Sequence, residues 1–225
     1  MEAGDEALVE QWDAWKSGKL GKVPAAVLLE LIEACQARRS SAPALEERLA
    51  THDKALAEKA GTAAAFEECL EGGDAKLGKE IALQNLTANC TACHKFESKE
   101  GSTVGPALNL IGKQKDRIYL LEALITPSKA VAPGFGIMTV TLKDGKMLTG
   151  TLVANTSSTL QLRLADGALE KVDTAQIESK TDPISVMPPM GAMLNKRQVR
   201  DLVAYLASLD GGASKKSSKS GNSPK

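Results

Sequence analysis

Apolar positions recur at helical spacing through the first 70 residues of the chain. After Pro24, which suits the first turn of a helix, apolar side chains follow three and four residues apart: Val27, Leu28, Leu31, Ile32 and Cys35. A second helix is predicted over about 44–60, and a short third helix before Gly72-Gly73. We interpret residues 1–70 as an N-terminal helical region, either a cap or the end of a helical-repeat domain.

Three further helices are predicted in the rest of the chain. One starts after Asp74, a suitable N-cap, and runs through Asn85. Another covers 116–126 and stops before Pro127. The last starts at Asn195, which forms a capping box with Gln198, and continues as an apolar stripe to Leu209.

The apolar spacing changes to every second residue over 137–178. The alternating runs are divided by two turn dipeptides, Asp144-Gly145 and Asp166-Gly167, and Asp-Gly between such runs is a strong signal for a β-hairpin. We therefore predict that residues 71–209 form a mainly α domain with a small antiparallel β-sheet or barrel inserted at 137–178. Residues 210–225, rich in Gly, Ser and Lys, are predicted to be a disordered tail.

Composition excludes some classes of function. The chain has 225 residues and a formal net charge of zero, so it lacks the positive field that a nucleic-acid partner requires. No stretch reaches the roughly 18–20 apolar residues of a transmembrane helix. The N-terminus is acidic and has no signal-peptide pattern.

The chemistry is concentrated in Cys90-Thr91-Ala92-Cys93-His94. Two thiols three residues apart reach the two vinyl groups of one porphyrin, and the next histidine then lies under the iron as the proximal ligand. The alternatives are a thioredoxin-like pair, which should follow a strand, or half of a zinc site. A zinc site needs further ligands, and only Cys35, Cys69 and His52 remain. The motif predicts one covalent haem c with its iron.

A second axial ligand must carry a lone pair. The candidates are His52 and five methionines: Met138, Met147, Met187, Met190 and Met193. Met187 stands before Pro188-Pro189, which keep its loop extended and separate from the last helix. Methionine is more often a core filler than a ligand, so Met190, His52 and an open position stay as alternatives to Met187.

These residues together resemble the class I cytochrome c fold, and more closely the haem-binding domain of the Planctomycete–Verrucomicrobium type. The resemblance covers about residues 71–209. It rests on Gly72-Gly73-Asp74 with Gly78, Cys90–His94, Val104-Gly105-Pro106-Ala107-Leu108 with Ile111-Gly112, Leu120-Leu121, Ile125 with Pro127-Ser128, Asp144-Gly145 with Leu148-Thr149-Gly150, Met187-Pro188, and Asp201-Leu202 with Ala204-Tyr205-Leu206.

The resemblance implies a cytochrome c-like helical haem domain whose first and last helices cross near Gly78 and Tyr205. It implies iron ligation by His94 and Met187. It also implies that the Pro106 carbonyl accepts the imidazole Nδ1–H, whereas a plain Gly-Pro turn is the alternative for that segment. Such domains often end large exported proteins, behind a helical-repeat or dehydrogenase-like region.

The predicted function is therefore one-electron transfer by a mono-haem c-type cytochrome, a carrier and not an enzyme in its own right. Its partners would be a periplasmic dehydrogenase or respiratory proteins, in a periplasmic or otherwise extracytoplasmic location. Because the chain shows no signal peptide, we expect it to be a fragment or to have a mis-called start. The alternatives are a haem-based sensor or haem enzyme with a displaceable distal ligand, and a docking module that uses the sheet.

Cys35 and Cys69 are the thiols that a haem would not use. In an oxidising compartment we expect a disulfide between them, and the alternative is two buried small apolar residues.

Overall fold

The N-terminal unit consists of three helices around their own core. The structure, a computed structural model, describes residues 3–19, 23–96 and 101–211. Helix α1 spans Ala3–Lys16, α2 spans Leu28–Ala37 after a 3-10 turn at Ala25–Val27, and α3 spans Pro43–Glu58. The core of this unit contains nine buried side chains: Trp12, Val23, Leu28, Leu31, Ile32, Cys35, Ala42, Leu45 and Leu49. The helical prediction for this region is confirmed.

A second helical unit follows a 3-10 segment at Ala63–Cys69. Helix α4 spans Ala75–Gln84, α5 spans Ile111–Gln114, α6 spans Arg117–Ile125 and α7 spans Lys196–Ser208. The predicted caps are present: the Asp74 carboxylate accepts the N–H groups of Lys76 and Leu77, and Asn195 forms the capping box with Gln198. Each cap satisfies N–H groups that have no partner inside the helix.

Helices α4 and α7 cross at Gly78. A Cβ atom at Gly78 would lie 2.0 Å from the Asp201 carbonyl oxygen and 2.7 Å from the Tyr205 Cβ, so only glycine permits this approach. The Asp201 carboxylate also accepts the Asp74 backbone N–H at 2.8 Å, which joins the start of α4 to α7. The predicted crossing near Gly78 and Tyr205 is confirmed.

Six antiparallel strands occupy the chain between α6 and α7, within the described residues. They are β1 Gly136–Leu142, β2 Met147–Asn155, β3 Thr159–Arg163, β4 Leu169–Asp173, β5 Ile177–Lys180 and β6 Ile184–Ser185. The order is β4-β3-β2-β1-β5. Strand β6 also pairs with β1, through Gly136 and Ile137, whereas β5 pairs with its other end. Both predicted turns are present, with Gly145 and Gly167 at φ +87°, a left-handed conformation that glycine adopts without strain.

The prediction of a mainly α fold with a small inserted barrel is wrong. About 47% of the residues that the structure describes are helical and 17% are in strands, which form a six-stranded antiparallel sheet, so the fold is mixed α/β. The sheet has a hydrophobic core of its own, consisting of Met138, Val140, Leu142, Leu148, Leu160, Leu162 and Val172. It also extends beyond the predicted 137–178, because β5 ends at Lys180 and β6 follows.

Ion pairs join the N-terminal unit to α7. Arg200, which is 6% exposed, donates to both carboxylate oxygens of Glu30 at 2.7 and 2.8 Å. Arg197 pairs with Glu33 and Lys196 with Glu68. The polar residues at the start of α7 therefore face the acidic side of α2 and the 3-10 segment before α4.

The expected disulfide between Cys35 and Cys69 is wrong. Both are free, buried thiols. Cys35 belongs to the core of the N-terminal unit, whereas Cys69 lies in the core of the second helical unit, where its Sγ donates to the Lys196 carbonyl at 3.3 Å. Each thiol acts as a small buried apolar group within a different core.

Two other predictions concern the C-terminal tail and transmembrane helices. Of the predicted tail at 210–225, residues 212–225 lie outside the described residues. Among the helices that the structure describes, none is long and apolar enough to cross a bilayer.

Candidate functional site

The Cys-x-x-Cys-His segment folds as a short turn that begins six residues after the end of α4. Cys90–Ala92 forms one 3-10 turn, and the His94 N–H donates to the Cys90 carbonyl at 2.8 Å. The turn is preceded by Asn89, which has φ +40° and is the one described non-glycine residue in the left-handed region. Asparagine adopts the left-handed region more readily than most other non-glycine residues, so Asn89 is suited to the chain reversal that precedes the motif.

His94 is fixed through one ring nitrogen. Its Nδ1 lies 2.8 Å from the Pro106 carbonyl oxygen. Because a carbonyl only accepts, Nδ1 carries the proton and donates, which leaves the Nε2 lone pair for a metal. The hydrogen bond that the resemblance implies is therefore present. Gly105 makes room for it, since a Cβ there would lie 2.8 Å from His94 Cε1.

A large cavity opens beside this histidine. Its volume is about 540 Å³, within the range of roughly 300–1,000 Å³ that cofactor-sized sites occupy. Cys90, Cys93 and His94 lie on its wall together with apolar residues from α6, α7 and the loop after α6, among them Leu120, Leu124, Leu202, Leu206, Val131 and Phe135. The cavity therefore brings both thiols and the imidazole to one apolar space, which fits a porphyrin.

Met187 also lines this cavity, whereas the competing ligands lie elsewhere. Met190 is 2% exposed in the helical core, and Met193 packs against the same core. Met138 belongs to the sheet core, and Met147 is 67% exposed on β2. Of the candidates for the second axial ligand that the structure describes, Met187 is thus the one brought to the cavity that holds His94.

His52 lies in the N-terminal unit. Its ring lies edge-on to Trp12 and Trp15, and its Nδ1 accepts from the Lys16 ammonium at 3.1 Å. Burial, and then the neighbouring Lys16, hold the pKa of His52 below its ordinary value of 6.5. The imidazole is therefore neutral and already engaged, and it does not line the cavity.

The sheet positions the Met187 loop. Strand β6 pairs with β1 through Gly136–Ser185 and Ile137–Ile184. The Ser185 N–H donates to the Ser128 hydroxyl at 3.1 Å, and the Ser185 hydroxyl accepts the Met187 N–H at 3.1 Å. Met187 thus lies two residues beyond β6, which the sheet holds in place through β1. The sequence analysis did not predict that the sheet positions this methionine.

The electrostatics of the thiols bear on the alternatives. The pKa of the Cys90 thiol is raised above its ordinary value of 9.0, and burial is the largest cause. Reactive Cys-x-x-Cys nucleophiles require the opposite shift, because the thiolate is the reactive form. Among the described residues no group of three or more His, Cys, Asp and Glu side chains is arranged to hold a metal ion, so a zinc site gains no support.

Sequence reasoning missed part of the wall. Gln114, Lys115 and Tyr119 line the cavity from α5 and α6, and residues 130–133 line it from the loop after α6. No sequence motif indicates that the three polar residues line a cavity, because the direction of their side chains depends on how α5 joins α6. The prolines at 127 and 133 mark the loop but do not indicate that it covers a cavity.

Comparisons with known proteins do not identify the chain: no protein-family model matches it, and a search of curated proteins finds no match. The resemblance to a haem-binding domain stays a prediction that rests on the motif residues.

Proposed function

We propose that this protein is a mono-haem c-type cytochrome that transfers one electron at a time. Cys90 and Cys93 would hold the porphyrin covalently, and His94 and Met187 would hold the iron. The single observation that carries the proposal is the apolar cavity of about 540 Å³ that has both thiols, His94 and Met187 on its wall.

A haem held there supplies reversible cycling of its iron between the ferric and ferrous states. The residues of the chain set the conditions for that cycling. The Pro106 carbonyl holds the proton on His94 Nδ1, so Nε2 would be available to the iron as a neutral donor. A thioether from Met187 favours the ferrous state, which raises the reduction potential relative to two imidazoles. Leu120, Leu202 and Leu206 give the site an apolar wall.

Electron transfer is a better conclusion than sensing or catalysis at the haem. A sensor or haem enzyme needs an open or displaceable position and a polar group beside it. Within the described residues of the 185–187 segment, Ser185 is the polar side chain on the cavity wall, and its hydroxyl already accepts the Met187 N–H. The wall on this side therefore offers a thioether in preference to an open position.

The partners that follow from this function are proteins that give and take electrons. We propose a periplasmic dehydrogenase or a respiratory protein as the partner, and a periplasmic or otherwise extracytoplasmic location, because c-type haem is attached on the outer side of the membrane. A zero net charge gives no attraction for nucleic acid.

The ligation is tested by paired substitutions of methionine. Met187→Leu keeps most of the side-chain volume and removes the sulfur. It should abolish the ferric sulfur-to-iron charge-transfer band, lower the reduction potential, and let added cyanide bind readily. These changes are measured by absorption spectroscopy and a potentiometric titration of the purified, haem-loaded protein.

Met190→Leu is the matched control, because Met190 is three residues away and buried in the core. It should leave the band and the potential unchanged. A band that survives in Met187→Leu and disappears in Met190→Leu would transfer the ligand role to Met190. A wild-type protein that binds cyanide at once would favour the sensor or enzyme alternative.

A further inference from the structure

One wall of the cavity carries polar side chains that have no role in the proposed attachment of the porphyrin or ligation of the iron. Apart from Cys90, Cys93 and His94, the polar lining side chains are Gln114, Lys115, Tyr119 and Ser185. Three of these four come from a single corner of the chain, where α5 ends and α6 begins. Among the cavity-lining residues that the structure describes, Lys115 is the one cation.

The backbone directs Lys115 to the cavity side of this corner. Lys115 is extended, with φ −135° and ψ 142°, and so is Asp116, with φ −79° and ψ 171°. Successive side chains of an extended backbone point to opposite sides. The Asp116 carboxylate is used as the N-cap of α6, where it accepts the Tyr119 N–H at 2.8 Å. The cation and the neighbouring anion are thereby separated.

Lys115 has no ion-pair partner among the described residues. Its ammonium group lies over the Tyr119 ring, 4.3 Å from the ring centre, in a cation–π contact that holds the two side chains together. By contrast Arg197, Arg200 and Lys196 are each paired with a glutamate. An exposed cation at the edge of an apolar cavity, without a carboxylate of its own, is suited to an anion that enters with the cofactor.

We propose that Lys115 and Tyr119 bind the carboxylates of the haem propionates. This inference rests on the proposed function. The vinyl and propionate groups of haem lie on opposite halves of the macrocycle, so a haem bonded through Cys90 and Cys93 presents its propionates away from the motif turn. The turn packs against α4, whereas Lys115 and Tyr119 stand on the separate wall formed by α5 and α6.

The test reads the propionates themselves. The full chain is matured with haem made from aminolaevulinate that is isotope-labelled at its carboxyl carbon, a label that the finished haem retains at the propionates. Infrared difference spectra between the reduced and oxidised protein then identify the propionate bands. Lys115→Gln should shift these bands, Tyr119→Phe should shift them less, and Lys115→Arg should restore the wild-type position in part.

Lys113→Gln is the matched control, because Lys113 lies in α5 two residues before Lys115, is exposed, and does not line the cavity. It removes the same charge and should leave the propionate bands in place. Unchanged bands in Lys115→Gln, or equal shifts in Lys113→Gln and Lys115→Gln, would overturn the assignment while covalent haem stays present. A wild-type chain without covalent haem would overturn the proposed function itself.

Discussion

The crossing of α4 and α7 at Gly78 is predicted to be sensitive to a single added side-chain atom. Gly78→Ala adds a Cβ atom that would lie 2.0 Å from the Asp201 carbonyl oxygen. Real Cβ atoms essentially never come within 3.0 Å of such an atom, so the helices must separate by about 1 Å. The obstacle is backbone and cannot rotate away.

The expected cost follows from two opposing effects. Overpacking of a close interface costs about 1–3 kcal/mol and sometimes more, and the contact with backbone oxygen puts Gly78→Ala at the upper end. Alanine gains up to about 1 kcal/mol over glycine inside a helix. We expect a net loss of about 1–2 kcal/mol in the free energy of unfolding.

Urea unfolding of the full chain, followed by circular dichroism, measures this loss. Gly4→Ala is the control, because Gly4 lies in α1 and a Cβ there meets nothing within 4 Å. It should be neutral or slightly stabilising. If Gly78→Ala were as stable as Gly4→Ala, the close contact between α4 and α7 would be refuted.

Two further predictions concern charges. Because the pKa of His52 is held below 6.5 by burial and by Lys16, the unfolded chain takes up a proton that the folded chain refuses as the pH falls below that value. The free energy of unfolding should then decrease until the folded pKa is reached, and His52→Gln should remove this component from urea titrations at several pH values; identical pH profiles would contradict it. Glu30→Ala leaves the buried Arg200 guanidinium without its carboxylate and should destabilise by about 1–3 kcal/mol. Arg200→Met should cost less, since the Glu30 side chain is 42% exposed and rehydrates; the reverse order in urea unfolding would contradict the burial argument.

Local sequence signals predicted the elements because each signal has a local physical cause. Asp74 and Asn195 satisfy N–H groups within three residues of themselves, so their capping roles are fixed by short spacing alone. Gly145 and Gly167 adopt φ +87° within turns that close through neighbouring residues. The Cys90–His94 turn is equally local.

What the sequence did not predict depends on contacts between distant residues. Strand β6 has only two residues, Ile184–Ser185, and exists because it pairs with β1 almost fifty residues earlier. No period-two pattern is visible over two residues. The sequence analysis therefore underestimated the size of the sheet and missed its role in positioning Met187. The pairing of Arg200 with Glu30 was missed for the same reason, since 170 residues separate them.

The disulfide error has a related cause. Cys35 and Cys69 both lie in helical segments of the first 70 residues, and proximity in sequence favoured a bridge between them. The boundary between two hydrophobic cores lies between these two residues. Cys69 packs with α7, and Cys35 packs with α1 and α3. A thiol at a helical apolar position does not indicate which core it joins.

Covalent attachment of haem at Cys90 and Cys93 is tested most directly by the intact mass of denatured protein. The chain is exported and matured in cells that carry c-type haem attachment machinery, then unfolded and measured by mass spectrometry. The mass should exceed that of the polypeptide by one haem, and Cys90→Ala with Cys93→Ala should abolish the increase. Cys35→Ala with Cys69→Ala, which removes the same number of thiols, should retain it. A wild-type mass equal to that of the bare polypeptide would contradict the assignment of this protein as a c-type cytochrome.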